Sequence, residues 1–335
     1  MVETFSARDA VELAIVERSG FVESRHTGSA VVVTADGTLR AELGDVEAPV
    51  LVHAPLNPFR AVACLAAGVQ ATDEQVAISV STHGGTPGHV ALVRDVLASA
   101  GLDDRALACP AGWPSDQAAR DALVRAGEPA SPVYTPASGS HAAMAAACVA
   151  QGWSIADVLD VEHPLQQSIR ETVERLASAR PLATAIDAAG APVLALPLVA
   201  LARGIARLRT ANPASPFAMY RHSARVASAA LAHGWVVDGH GRPDTVVIDE
   251  LGTLARTGTE GVLVMSAPDG TTVALKALDG SSRALTLVGL QLLVAAGSLG
   301  VSDVQRIVAR LGLEVLGAGV PVGAVRVGAD VPLRL

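Results

Sequence analysis

Residues 81–89 of the chain read STHGGTPGH and combine a threonine hydroxyl with two imidazoles and three glycines. The hydroxyl of Thr82 can attack an electrophilic carbon or donate a hydrogen bond, and His83 follows it directly. Glycines between two histidines let a ligand approach the backbone closely. The same residues also suit a turn into a helix that begins at Pro87, with Thr82 and His83 bonded only to backbone groups. The segment therefore predicts either a ligand site or the start of a helix.

Lys276 ends an apolar run in the strand predicted over residues 272–277. A lysine that points inward from such a strand is desolvated, which lowers the pKa of its amine toward the range of a working base. The opposite interpretation is an ion pair with Glu260 or Asp279, because structural ion pairs also perturb pKa values. Taken alone, these residues favour the structural role.

The elements that must position these groups follow from proline, glycine and apolar spacing. Strands at both ends of the chain around a helical middle predict one α+β domain over residues 1–335, with a sheet that recruits both ends. The predicted helices cover residues 58–68, 87–99, 115–126, 138–151, 164–179, 198–208, 218–233, 288–296 and 302–311. The predicted strands cover residues 31–34, 39–41, 182–186, 193–196, 245–248, 260–265 and 272–277, with residues 321–326 extended.

The composition and charge of the chain argue against two classes of binding partner. The net charge is −8 and the basic residues are scattered without an aromatic-basic stripe, which argues against nucleic acid. No apolar run approaches the ~20 residues that span a bilayer, so we expect no membrane partner. The first residues, MVETFSARD, lack a basic and then apolar leader, which favours a cytoplasmic protein. Apolar helices such as residues 285–296 favour self-association, and we expect a homodimer.

The three cysteines lie in alanine-rich surroundings and are expected to be buried thiols in a reducing compartment. They are Cys64, Cys109 and Cys148. No Cys-x-x-Cys pair or Cys/His spacing indicates zinc. We therefore expect no metal and no cofactor.

Several motifs together resemble the type II asparaginase family of bacterial amidohydrolases. They are VESRHTGSAVVV at residues 22–33, GDVEAPV at 44–50, the segment at 81–89, RTGTEGV at 256–262 and VALKALDGSSRA at 273–284. The resemblance extends over residues 22–326. It implies an antiparallel sheet covered by helices, similar to serine β-lactamases and glutaminases, and hydrolysis of asparagine to aspartate and ammonia.

The segment at residues 53–60 departs from this family at its reactive positions. The family reads R-S-S-x-K-P-x-Q there, and its serine and lysine form a nucleophile beside its base. The chain has Ala54 and Asn57 instead, with Pro55 between them. A methyl group cannot attack a carbonyl, and a carboxamide cannot accept a proton near neutral pH. The sequence therefore predicts a remodelled centre.

The resemblance implies roles for the groups that remain. Thr82 takes the place of a second family serine, and Lys276 is the lysine that accompanies it, so this pair is the catalytic candidate. The residues expected around the substrate are Arg25, His83, Ser138, His141 and Asp187.

For three of these substrate candidates the residue type allows a structural role as well as contact with a ligand. Arg25 could hold an α-carboxylate with two N–H donors, or lie at a strand edge on the surface. Ser138 could cap a helix, donate to a ligand, or do both. Asp187 could hold an amino group or cap a turn.

The family's metal or substrate site has also changed. Two cysteines and a lysine of the family correspond to Ala137, Ala189 and Ser140. Zinc needs thiolate, imidazole or carboxylate donors, so a metal site of the family's kind is not expected. Two functions stay open: weak or altered hydrolysis of asparagine or a related small amide, and non-catalytic binding of an amino-acid-like ligand or a protein partner.

Overall fold

Both ends of the chain contribute to one antiparallel sheet in the computed structural model, which describes residues 2–335. Strand β1 (Val11–Arg18) pairs with β2 (Phe21–Val33) on one side and with β11 (Val320–Val327) on the other. Strand β2 also pairs with β9 (Thr272–Ala277), and β9 with the strands beyond it forms what we call the outer half of the sheet. The two ends of the sequence are therefore joined at the middle of the sheet.

The other strands complete this sheet and form a small second one. Within residues 2–335 the main sheet has the order β10-β11-β1-β2-β9-β8-β7, with β3 paired to β2, and the small sheet has the order β4-β6-β5. These strands are β3 (Leu39–Leu43), β4 (Pro49–Leu51), β5 (Ala183–Ile186), β6 (Pro192–Pro197), β7 (Leu254–Thr257), β8 (Val262–Ser266) and β10 (Glu314–Gly317).

The helices begin and end at residues whose backbone chemistry suits those positions. Prolines stand in the first turn of several, and left-handed glycines such as Gly127 and Gly152 follow the last turn of two others. The helices are α1 (Asn57–Ala66), α2 (Asp73–Ser79), α3 (Pro87–Ser99), α4 (Gln117–Ala126), α5 (Ser138–Gln151), α6 (Pro164–Ala177), α7 (Leu198–Arg209), α8 (Ala218–Ala232), α9 (Gly234–Val237), α10 (Pro243–Leu251), α11 (Leu285–Ala295) and α12 (Val301–Val308).

Helices cover both faces of the outer half of the sheet. Helix α7 packs against β2, β8 and β9, and α11 packs against β8 and β9. Every residue of β8 and of β9 is buried, as expected for strands covered on both sides. A second apolar cluster lies among α2, α3 and α5. The predicted α+β class, with an antiparallel sheet covered by helices, is confirmed.

One predicted element is wrong. Residues 245–248 were expected to form a strand, but they lie inside α10. Their run of Thr and β-branched apolar residues suits a strand, yet a short apolar run does not distinguish a buried strand from a buried helix. The preceding Pro243 stands in the first turn and Gly252 follows the last one in a left-handed conformation, so the flanking residues set the helix.

No helix in the described part of the chain is long and apolar enough to cross a bilayer.

Candidate functional site

The site is built around the turn that leads into α1. A single 3-10 turn, Ala54–Leu56, follows His53 and continues directly into the helix. The side chain of Asn57 is buried, and its Nδ2 donates to the backbone oxygen of Ser81 at 3.1 Å. This bond ties the start of α1 to the loop that carries Thr82. The segment that lacks the nucleophile and the loop that retains a hydroxyl are therefore neighbours.

A buried arginine fills the space beside Asn57. Arg60 donates to Asn57 Oδ1 at 3.1 Å, to the backbone oxygen of Pro192 at 2.5 Å and to Asp187 Oδ2 at 3.4 Å. Burial lowers the pKa of Arg60, and the carboxylate of Asp187 opposes that shift. Since a guanidinium stays charged in proteins, the site contains a resident cation. Sequence reasoning missed Arg60, and the only signal for it was its place one turn after Asn57.

Asp187 combines the turn role with this ion pair. Its Oδ1 accepts the backbone N–H groups of Ala189 and Ala191 at 2.9 and 3.0 Å, which is the geometry of a turn-capping carboxylate. Its Oδ2 faces Arg60. Both oxygens are therefore already engaged within the protein.

His141 lies in the same neighbourhood, in the first turn of α5. It is 2% exposed, and neither ring nitrogen has a hydrogen-bond partner in the described chain. Burial lowers its pKa to about 4, and the positive charge of Arg60 acts in the same direction. The ring is therefore neutral at pH 7.

Thr82 is held by a second buried arginine. Arg256 has no exposed surface, and its Nη2 donates to Thr82 Oγ1 at 3.1 Å. Its Nη1 lies 3.6 Å from Asp244 Oδ2, and Asp244 in turn accepts the backbone N–H and the hydroxyl of Thr257 at 2.7 and 2.6 Å. Because Thr82 Oγ1 accepts from Arg256, its O–H is left to donate elsewhere. Arg256 also escaped sequence reasoning.

Lys276 is the single lysine of the sequence and lies in β9, where it pairs with Val262 of β8 and Ser29 of β2. Its Nζ donates to the backbone oxygen of Ala277 at 2.5 Å. Burial lowers its pKa, and the carboxylates of Glu260 and Asp279 partly oppose the shift. Within residues 2–335 no hydrogen bond joins Lys276 to Thr82. The catalytic roles expected for the two residues stay predictions.

His83 and Ser138 face each other in the protein interior. The backbone N–H of Gly85 donates to His83 Nδ1 at 3.1 Å, so the proton is on Nε2, which lies 2.9 Å from Ser138 Oγ. Ser138 Oγ donates to the backbone oxygen of Val133 at 3.0 Å. Ser138 therefore bridges His83 and Val133 and makes no capping bond in α5. Both side chains are fully buried.

Arg25 lies away from this group. Its side chain is exposed on β2 and pairs with Glu12 of β1. The next residue, His26, faces Asp279 with 2.6 Å between Nδ1 and Oδ2. Arg25 therefore contacts a neighbouring strand and makes no hydrogen bond to the other predicted site residues among residues 2–335.

The described residues contain no group of three or more His, Cys, Asp or Glu side chains arranged to hold a metal ion.

Charges of both signs act electrostatically on the ring of His53. The ring is half-buried and interacts with Asp187 and Glu260, and with Lys276 and Arg60. Sequence reasoning did not single out His53, although its position one residue before Ala54 was a signal. The four charged residues come from separate elements, and only the fold brings them together.

The buried imidazole of His83 makes stability dependent on pH. Burial lowers its folded-state pKa to about 3, whereas a free imidazole has a pKa of 6.5. Between these values the unfolded chain binds a proton that the folded chain does not, so stability is complete above pH 6.5 and is lost as the pH falls. We expect the free energy of unfolding to decrease by about 1.4 kcal/mol per pH unit for this proton.

Urea unfolding at pH 7, 5.5 and 4.5 measures this dependence. His83→Gln keeps an N–H donor for Ser138 but removes the titrating group, so its stability should depend less steeply on pH. His240→Gln is the control, because His240 has a stacked ring near the surface. An equal slope in wild type and His83→Gln would contradict the assignment.

One family model matches most of the chain, and several solved structures are similar to it. Residues 14–327 match the family model described as L-asparaginase II. No curated protein matches the chain. Among solved structures, Mglu in its native form is similar at 14% identity and a TM-score of 0.43, over 80% of this chain and 63% of that one. Mglu in its tris and glutamate form gives 15% and 0.46, over 80% and 58%.

A β-lactamase from Mycobacterium bovis is also similar, at 14% identity and a TM-score of 0.41, over 85% of this chain and 95% of that one. The chain thus spans about 60% of the length of the Mglu chains that it matches.

Proposed function

Because the chain belongs to the L-asparaginase II family, we propose that it binds a small α-amino-acid amide of the asparagine type and hydrolyses it slowly through a degenerate centre. The binding site would lie at the turn before α1, beside Ala54. The products would be the corresponding acidic amino acid and ammonia.

One observation carries this proposal: charges of both signs act on the half-buried turn at His53, since Asp187 and Glu260 raise the pKa of its ring while Lys276 and Arg60 lower it. An α-amino acid presents an ammonium and a carboxylate on one carbon, so it needs partners of both signs close together. Glu260 is exposed and suits the ammonium group, and the amine of Lys276 suits the carboxylate. Asp187 and Arg60 already neutralise each other and would support the site from beneath.

The slow rate follows from the groups around the reacting carbon. Ala54 supplies no nucleophile, and Asn57 no base. Thr82 accepts a hydrogen bond from the guanidinium of Arg256, and a guanidinium cannot accept the proton of the hydroxyl. Because Thr82 Oγ1 accepts a hydrogen bond from Arg256, its O–H suits donation to the carbonyl oxygen of the amide, where negative charge develops.

Ammonia release from asparagine, glutamine and simple primary amides tests the proposal. We expect slow but measurable turnover of asparagine by the wild type and a loss of about 100-fold or more in Thr82→Val, in which the hydroxyl is replaced by a methyl group. Thr38→Val, in the exposed hairpin between β2 and β3, is the matched control. Lys276→Met should raise the KM for asparagine more than Lys276→Arg does.

A second function is favoured by the contact between Thr82 and Arg256, because no base adjoins the hydroxyl. In that case the chain binds the amino acid without turning it over. Thermal stabilisation by asparagine or aspartate, without ammonia from any amide, would favour this function over hydrolysis. Turnover that survives in Thr82→Val would overturn the role given to the hydroxyl.

A further inference from the structure

The backbone at His53 adopts a conformation that residues with a side chain rarely take. Its φ is 44° and its ψ is −132°. Such outliers persist only where the surrounding structure enforces them, and they cluster at active sites and ligand clamps. A glycine would adopt this conformation freely, yet the chain has a histidine there. The position therefore combines a strained backbone with a side chain that can exchange protons.

Close packing holds His53 in this place. A Cβ atom built on Gly258 would lie 3.2 Å from His53 Cβ and 2.9 Å from Pro55 Cδ. On its other side, the same turn meets the end of β9, because a Cβ atom on Gly261 would lie 2.8 Å from the backbone oxygen of Ala277. The turn of residues 258–261 therefore packs against His53 through Gly258 and against the end of the strand that carries Lys276 through Gly261.

Four charged residues from separate elements act electrostatically on the imidazole. These are Asp187 from the turn between β5 and β6, Glu260 from the turn between β7 and β8, Lys276 from β9 and Arg60 from α1. Burial lowers the pKa of His53, the two carboxylates raise it and the two cations lower it. The net direction is downward, so the ring is neutral at pH 7. It makes no hydrogen bond to any side chain or backbone group within residues 2–335, which leaves a nitrogen lone pair available.

We propose that His53 is the general base of this chain and accepts a proton from the water molecule that attacks the substrate amide. The proposal rests on the proposed hydrolytic function. It gives His53 the proton-accepting role that Asn57 cannot perform, without any covalent intermediate on the protein.

The water oxygen bonds to the amide carbon as its proton moves to the imidazole, and the carbonyl electron pair moves to the oxygen, where the Thr82 hydroxyl donates a hydrogen bond. When the tetrahedral intermediate collapses, the carbonyl re-forms, the C–N bond breaks, and the imidazolium returns its proton to the leaving nitrogen. One amide and one water yield one carboxylic acid and one ammonia.

His53→Gln tests this role by ammonia release. General base catalysis contributes about 10²- to 10⁴-fold, so we expect kcat to fall at least 100-fold while KM changes less than about threefold. In the wild type, kcat/KM should decline as the pH falls through the pKa of His53, which burial holds below the ordinary 6.5, because protonation removes the base; in His53→Gln that decline should be absent. His222→Gln is the matched control, since burial also lowers the pKa of His222, on α8.

His53→Gly separates chemistry from folding. Glycine accepts the backbone conformation at position 53, so this variant should unfold at the same temperature as wild type or higher. It should lack turnover, and added imidazole should restore part of it by entering the vacated space. Turnover that both variants retain with an unchanged pH profile would overturn the role of His53 and leave the proposed function standing. A wild type that releases no ammonia at any pH would overturn both.

Discussion

Replacing Asp244 by asparagine is expected to lower the free energy of unfolding by about 3 to 5 kcal/mol. Arg256 lies in the interior with no exposed surface, and the carboxylate of Asp244 is its neighbour at 3.6 Å. Asp244 is the carboxylate that acts most strongly on this guanidinium, ahead of Asp238, and removing the main partner of a buried charge is the costly part of such a change. The substitution also disturbs the two hydrogen bonds from Thr257.

Urea unfolding of Asp244→Asn measures this effect, with Asp303→Asn as the matched control. Asp303 pairs with Arg306 on the surface of α12, where both side chains are about half exposed, so its loss should cost less than about 1 kcal/mol. The double variant Asp244→Asn with Arg256→Met should cost less than the sum of its single changes, because the two residues share one interaction. Equal losses for Asp244→Asn and Asp303→Asn would contradict the buried pair.

Restoring lysine at position 57 is expected to destabilise the protein by a similar amount, about 3 to 5 kcal/mol. The family motif has lysine there, but Arg60 Nη1 now lies 3.1 Å from Asn57 Oδ1. A lysine amine in that place would face a buried guanidinium, and the second cation would have no carboxylate of its own. Asn57, which stands where the family has its lysine, therefore accepts a hydrogen bond from Arg60, which stands where the family has glutamine.

Adding Arg60→Gln, the family's residue at that position, should recover most of the stability lost in Asn57→Lys. Asn57→Gln is the control, because it keeps a carboxamide beside Arg60 and adds only one methylene. Ammonia release can then be measured in Ala54→Ser with Asn57→Lys and Arg60→Gln, where a serine and a lysine again stand three residues apart. Urea unfolding that shows Asn57→Lys as stable as wild type would contradict the coupling of residues 57 and 60.

The regular elements were predictable where local chemistry and packing agree. Pro87 and Pro164 begin α3 and α6 as expected, and the predicted range 138–151 is α5 as the structure has it. The strand predicted over residues 245–248 failed, because apolar β-branched residues suit both a buried strand and a buried helix. Helix α2 was missed although Thr72 and Gln75 form a capping box at its start.

The site was less predictable because its determinants lie far apart in sequence. That Ala54 and Asn57 cannot act as nucleophile and base follows from residue types alone. The hydrogen bond from Arg256 to Thr82 could not be predicted in the same way. Arg256 is buried beside Asp244, and Asp244 belongs to α10, part of which was predicted as a strand. A buried arginine, unlike a buried leucine, leaves no pattern in hydropathy, because its burial depends on a partner that only the tertiary structure supplies.

The sheet order has a consequence for synthesis on the ribosome. The hairpin of β1 and β2 is synthesised before its partners, because one of its edges pairs with β9 and the other with β11. Strand β2 ends in Ala30 and three valines, so a nascent chain exposes the edge of this apolar segment that pairs with β9 until β9 has been made. Such an edge is prone to pair with other nascent chains, and its long-range partners make closure slow. Chaperone occupancy at this hairpin of the nascent polypeptide should therefore persist until β9 and β11 have emerged.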